Sequence, residues 1–353
     1  MKRGSLKGNV LLLGATGFLG AHVLQAFLSE GEGVAYCLVR AATKEQAVRR
    51  LCDRLQFYFG EETVAAWLDR IVAVQGDMTD SRFMSPFADC GIRTVINCAA
   101  EVRHFARPDV LRAVNTDALM PVIDFCCSHR ARFLQVSTLG LAGLHGGGPE
   151  EVAVLTEQDF YIGQHFGEPY SLSKFEAERL VLEGMEEKGL DACVVRVGNL
   201  DRRSYDGRFQ FNATDNGLQM VERLCRQLGV IPEGMADVRI DLSPVDVVAT
   251  AIVRLAAAVK MPPVAHVGNS SVMTMSALLS RHEICVKTVD YATFQKMVEK
   301  MAEDEGNERS LLPAMAHLHL ARVHNFNAFD CTHTAALLQC LGVEWSGVSG
   351  KPE

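Results

Sequence analysis

Val10-Leu11-Leu12-Leu13 runs straight into Gly14-Ala15-Thr16-Gly17-Phe18-Leu19-Gly20, and a helix-favouring stretch from Ala21 to Ser29 follows. A short apolar run, a turn with glycine at every third position and then a helix form the opening strand-turn-helix unit of a dinucleotide-binding sheet. In that context each glycine has a task. The first permits the tight turn, the second lets backbone approach a pyrophosphate, and the third allows helix and strand to pack closely. The helix N-terminus adds free N–H donors and the positive end of its dipole. Gly14, Thr16, Gly17, Phe18, Leu19 and Gly20 are therefore the first candidate cofactor-binding residues.

The rest of the chain is consistent with that opening. Apolar runs at Asn9–Leu13, Val34–Val39, Ile71–Gln75, Thr94–Cys98, Phe133–Ser137 and Ala192–Val197 alternate with helical segments such as Thr43–Phe57, Val110–His129 and Ser171–Lys188. This alternation specifies an α/β fold, a Rossmann-type doubly wound parallel sheet with right-handed crossovers. The expected cofactor-binding domain spans 1–200. Beyond Asn199 come a polar loop (Asp201–Asn216), a helix from Asn216 to Leu228, and a second helix over Pro244–Val259 with Ser243 as its N-cap. The segment 238–268 is expected to return to the sheet through a strand at Val264–Val267. Residues 201–237 and 269–353 are assigned to a smaller, mostly helical substrate domain.

The chain has 353 residues and a net charge of -8, which argues against a phosphate-backbone partner, so no nucleic acid is expected. Its eleven cysteines include the adjacent Cys126 and Cys127 and form no C-x-x-C pair, a poor disulfide framework that points to a cytoplasmic protein. Met1-Lys2-Arg3 before an apolar run resembles a signal peptide, but glycines cut that run short. No stretch approaches the roughly 18 to 20 apolar residues of a membrane span.

Cofactor choice rests on the end of the second strand. An acidic residue there would accept from a ribose 2′-hydroxyl, whereas this chain has Val39-Arg40-Ala41. A guanidinium suits a 2′-phosphate, and Arg49 or Arg50 on the next helix adds a second contact, so NADPH is expected. Asp77 after the third strand can accept from an adenine amino group, or cap a helix. Cys98, Ala99 and Ala100 after the fourth strand leave room for the adenosine. Met78, Asn115, Ser137, Gly198 and Asn199 complete the expected cofactor-binding set.

Pro169-Tyr170-Ser171-Leu172-Ser173-Lys174 opens a helix, with Tyr170 and Lys174 four apart on one face. Carbonyl reduction needs a hydride and a proton on the developing alkoxide. Tyr170 supplies the proton if the Lys174 ammonium lowers its pKa, and Lys174 can also hold ribose hydroxyls. Thr138, at the end of the fifth strand, is the expected donor to the substrate oxygen, with Ser137 as the alternative.

These motifs resemble the extended short-chain dehydrogenases, and within them the terminal thioester reductase domains of nonribosomal peptide synthetases, with carboxylic acid reductase and aminoadipate reductase domains as relatives. The resemblance runs through Gly14–Gly20, Cys37–Ala41, Val136–Thr138, Tyr170–Lys174, Arg196–Leu200, Asp206–Gln210, Leu228–Pro232 and Pro244–Asp246. It implies NADPH-dependent reduction of a carrier-bound acyl or peptidyl thioester to an aldehyde or further to an alcohol. It also implies a catalytic set of Thr138, Tyr170 and Lys174, with Arg40 and Arg50 on the 2′-phosphate. The partner would be a peptidyl or acyl carrier protein bearing phosphopantetheine, docked near Arg202, Arg203 and Arg208. The chain departs from the family pattern at Asp201-Arg202, where Thr-Gly is usual.

Two rival readings keep the same cofactor site: a dehydrogenase of a free small carbonyl or nucleotide sugar, and a non-catalytic NADPH sensor. The sensor has no need of the Tyr-Lys pair. His317, His319, His324, Cys331 and His333 crowd the C-terminal region, but their spacing fits no standard zinc pattern and no metal is expected.

Overall fold

The computed structural model describes residues 4–102, 106–145, 152–213, 216–305 and 325–345. Seven strands form one sheet: β1 (Asn9–Leu13), β2 (Ala35–Val39), β3 (Ile71–Gln75), β4 (Ile92–Asn97), β5 (Arg132–Thr138), β6 (Ala192–Val197) and β7 (Val264–Val267). Their order is β7-β6-β5-β4-β1-β2-β3, and every pairing is parallel. The order reverses between β1 and β4, the switch point where doubly wound sheets open a crevice at their carboxyl ends.

The central runs are largely apolar because the sheet is covered on both faces there, while the edge strand β3 is only partly buried. Val10 and Leu12 of β1 enter the core with α1 (Phe18–Glu30) and α2 (Lys44–Phe59), while Leu11 and Leu13 enter the opposite core. That second core holds α3 (Leu119–His129) and α4 (Pro169–Lys188). A third apolar cluster lies outside the sheet. It is built from α5 (Gly217–Leu228), α7 (Met275–Arg281) and α8 (Tyr291–Glu305), following α6 (Val245–Ala257) in the sheet's first layer.

Several local expectations are corrected. The helix expected over Val110–His129 is interrupted: an α-turn at Pro108–Arg112 passes into a π-turn at Ala113–Asp117 before α3 begins. Pro121 cannot donate to the carbonyl of Asp117, so the α-ladder fails there. Ser243 is not the N-cap of α6. Pro244 holds that position, and Ser243–Pro244 pair as a short parallel strand with Leu200–Asp201. The part outside the sheet is also less helical than expected. It contains ladders between Val230–Pro232 and Lys287–Val289, and between Arg239–Asp241 and Val272–Thr274. No described helix is long and apolar enough to cross a membrane.

Candidate active site

The nucleotide end of the crevice is shaped by missing side chains. Gly14 has φ +86°, and a Cβ there would stand 2.6 Å from the Ala99 amide nitrogen beyond β4. A Cβ on Gly20 would stand 2.1 Å from the Gly14 carbonyl oxygen. Both positions therefore demand glycine, the first for the turn and the second for contact of α1 with the turn. Gly17, the N-cap of α1, has no side-chain cap, so the first N–H groups of the helix face the turn's open side. Thr16 is half-buried, Leu19 is in the core, and the Phe18 ring lies 5.5 Å from that of Phe209. This glycine cradle beside an uncapped helix end fits a pyrophosphate.

Beyond β2 the exposed Arg40 and Arg50 stand close enough to repel. Burial, then Arg40 and then Arg54, depress the Arg50 pKa. Arg50 Nη1 donates to the Arg40 carbonyl at 2.7 Å, and the Arg54 guanidinium lies 3.7 Å over the Phe211 ring with its Nε buried and unpartnered. Cations crowded in this way form a seat for an anion. Asp77 is not a helix cap: its Oδ1 closes a turn by accepting from Thr79 N at 3.0 Å and Oγ1 at 2.9 Å. Met78 belongs to the second core beside Leu38, and Cys98, Ala99 and Ala100 line the loop after β4 half-buried.

The reactive end is held by α4. Pro169 takes the first helical position and Glu168 caps the helix, its carboxylate accepting from Ser171 N at 3.0 Å and also from Ser171 Oγ. Tyr170 and Lys174 share a face, with Lys174 Nζ 6.0 Å from the Tyr170 ring centre. Lys174 is only 3% exposed and donates to the Val136 carbonyl of β5 at 3.0 Å. Burial, against a smaller opposing pull from Cys98 and Glu178, lowers its pKa to about 8. The expected lowering of the Tyr170 pKa is corrected. Burial raises it, and the Glu168 carboxylate raises it further, so the phenol is held in its protonated form. Thr138 Oγ1 accepts from Gly140 N at 3.0 Å, which leaves its own O–H to donate elsewhere. Ser137 is buried, and its hydroxyl has no partner.

Asn115 has a structural task that the sequence did not suggest. It is buried in the π-turn, where its amide accepts from Glu101 N at 2.8 Å and donates to Glu101 O at 3.0 Å and Ser173 Oγ at 2.9 Å. It locks the loop after β4 to the first turn of α4. Asn199 is likewise spent on protein: its backbone N donates to Asp241 Oδ2 at 2.9 Å and its Nδ2 to Asp241 Oδ1 at 2.8 Å. A Cβ on Gly198 would fall 1.7 Å from that same Asp241 oxygen, so glycine is required here too. Asp241 was not singled out from sequence. Nor was Glu178, whose buried carboxylate grips Arg196 through contacts of 2.8 and 3.1 Å. Its one sequence signal was a charged residue two turns along the helix from Tyr170.

The loop arginines are tied down to different degrees. Arg203 is buried against Asp206, Arg202 donates to the Gly207 carbonyl at 3.2 Å, and Arg208 donates to the Phe57 carbonyl at 2.5 Å. His317, His319 and His324 lie outside the described residues.

A cavity of about 410 Å³ joins Thr138, Tyr170, Gly198 and Asn199 at the sheet edge to Glu222, Met275, Leu278 and His282 outside the sheet. Its size is that of a small-molecule site.

Comparison with known proteins agrees with this architecture. Residues 12–252 match the family described as male sterility protein, an NAD-binding family. The chain is 30% identical over 267 residues to an isonitrile lipopeptide synthase of Streptomyces coeruleorubidus, covering 74% of this chain and 17% of that protein. It is 30% identical over 338 residues to the L-2-aminoadipate reductase large subunit of Penicillium chrysogenum, covering 88% of this chain and 23% of that protein. The chain thus spans about a fifth of the length of these curated relatives. Among solved structures, a thiolation-reductase di-domain from an archaeal non-ribosomal peptide synthetase superposes with a TM-score of 0.83 at 29% identity, covering 98% of this chain and 73% of that one.

Proposed function

The chain belongs to the male sterility protein family of NAD-binding domains, and from that premise we propose that it is an NADPH-dependent reductase that releases a carrier-bound acyl or peptidyl thioester as an aldehyde. One observation carries the reading. Thr138 and Tyr170 stand on the wall of a single cavity at the carboxyl edge of the sheet, next to Lys174 and across the crevice from the glycine cradle. The relatives support the substrate class, since they include an aminoadipate reductase and a di-domain that joins a thiolation domain to its reductase.

Gly14, Gly17, Gly20 and the helix end behind them would hold the pyrophosphate, with Arg40 and Arg50 on the 2′-phosphate. NADPH, when bound, supplies the hydride. The Thr138 hydroxyl and the Tyr170 phenol donate to the carbonyl oxygen as it becomes an oxyanion, and Tyr170 gives up its proton to that oxygen. A phenol kept protonated by burial is suited to this acid role. Lys174, tied to Val136, keeps positive charge beside the phenol as it ionises. The C–S bond of the resulting thiohemiacetal then breaks, the carbonyl re-forms, and the pantetheine thiol departs with a proton. The partner is a carrier domain whose phosphopantetheine arm enters the cavity. Arg202 and Arg208 donate to carbonyls and keep their charge for a docking face, whereas Arg203 is paired with Asp206.

The test is NADPH oxidation with an acyl-pantetheine thioester and detection of the aldehyde. Tyr170→Phe should lower kcat by about 10²- to 10⁴-fold while leaving NADPH binding in place. Turnover of free ketones with no thioester reduction would overturn the reading, as would normal kcat in that variant.

A further inference from the structure

The cavity extends well away from the sheet edge, and its far wall carries ionisable groups that the proposed chemistry does not use. Glu222, on α5, is 5% exposed. One of its oxygens accepts from His282 Nδ1 at 2.8 Å, and the other, Oε1, is buried without a hydrogen-bond partner. Glu222, His282 and Asp201 all line the cavity that contains Thr138 and Tyr170. A carboxylate oxygen kept from water costs free energy unless something donates to it. No described side chain does so.

The neighbouring charges narrow what that donor can be. Asp201 already has the guanidinium groups of Arg202 and Arg281 acting on it. Arg239, which also lines the cavity, is exposed at the level of the whole residue. The unsatisfied acceptor is therefore Glu222, and the lining includes the apolar Val221, Met275 and Leu278 of the third core cluster as well as polar groups. A donor held beside those apolar side chains against a carboxylate is matched by a cationic group at the end of a hydrocarbon segment.

We propose that Glu222 is a specificity residue that receives a protonated amine on the acyl group of the substrate, so that an ammonium-bearing acyl chain is preferred over a hydrocarbon chain of equal length. This rests on the thioester reading above for the identity of the acyl group. His282 is a positioning residue, which fixes one oxygen of Glu222 and leaves Oε1 as the acceptor still without a donor.

The experiment compares two ligands of the full chain with NADP⁺ present. Pantetheine linked by an amide to ω-aminohexanoyl, and its heptanoyl counterpart, cannot be reduced and so report binding alone by calorimetry. Wild type should bind the amine at least about tenfold more tightly. Glu222→Gln should erase that preference while leaving heptanoyl affinity unchanged, and Glu222→Asp should restore part of it. Equal affinity for the two ligands in wild type would overturn the proposal without any variant having to fold. A preference that survives Glu222→Gln would also overturn it. The corresponding thioesters test the reaction separately. If neither is reduced while the binding preference stands, the thioester reading falls and the ammonium seat does not.

Discussion

At the nucleotide end of the crevice, Gly14, Gly17 and Gly20 lie within one short turn and act by lacking side chains, whereas at the reactive end Asn115, Lys174 and Asp241 come from distant segments and act through buried or part-buried polar bonds. The first device is steric and local. The second depends on long-range contacts that exist only once the sheet is assembled. The two ends should therefore fail differently: the reactive end should be costly to disturb and sensitive to pH, and the nucleotide end should lose affinity with little loss of fold.

The largest effect is expected at the Glu178–Arg196 pair, which fastens α4 to β6. Both side chains are nearly inaccessible, and Arg196 also donates to Asp159 O at 3.0 Å and contacts His266 Nε2 at 3.0 Å. Glu178→Ala strands a buried guanidinium, and a loss of about 3–5 kcal/mol in urea unfolding is expected. A loss below about 1 kcal/mol would show that the reactive end is not held by this pair, and the contrast between the two ends would weaken.

Lys174 should behave in the opposite way. Its folded pKa of about 8 lies below the ordinary 10.5, so folding disfavours its charged form. Below pH 8 both folded and unfolded chains carry the proton, and the folded state bears the full cost of burying it. Between pH 8 and 10.5 the folded chain has released the proton while the unfolded chain keeps it, and the cost fades. Lys174→Met should therefore stabilise the protein by about 1–3 kcal/mol at pH 7, with the gain shrinking as pH rises through that window. The variant should also lose turnover, and wild-type kcat/KM should fall above about pH 8. Thermal melts across pH read the first effect and initial rates the second. A destabilised variant would mean that the bond to Val136 outweighs the buried charge.

The same contrast explains what could be read from the sequence. Most of the seven strands were legible because they are buried and largely apolar, and the cradle because its glycines stand three apart in one turn. The pairing of Tyr170 with Lys174 was legible from helical spacing, but the raised pKa of the phenol was not. That depends on burial and on Glu168, whose cap geometry places a carboxylate against the same turn. The structural task of Asn115 was not legible because no local pattern announces a π-turn, and its partners Glu101 and Ser173 are far from it in sequence. Asp241 left no local signal at all, since only the folded chain brings it against Gly198 and Asn199.

The smallest effect belongs to the nucleotide end and sharpens the comparison most. Arg50 is exposed and donates to the Arg40 carbonyl, so removing it leaves no buried charge behind. Arg50→Ala should leave the melting temperature within about 1–2 °C, because surface changes of this kind stay within about 0.5 kcal/mol. Its cost should appear only where a 2′-phosphate is present. The Kd for NADPH should rise about tenfold, the loss of one charge-assisted hydrogen bond, while the Kd for NADH should stay constant. Equal weakening of both cofactors would mean that Arg50 shapes the turn after β2 instead of reading the phosphate. The seat would then fall to Arg40 and Arg54 alone.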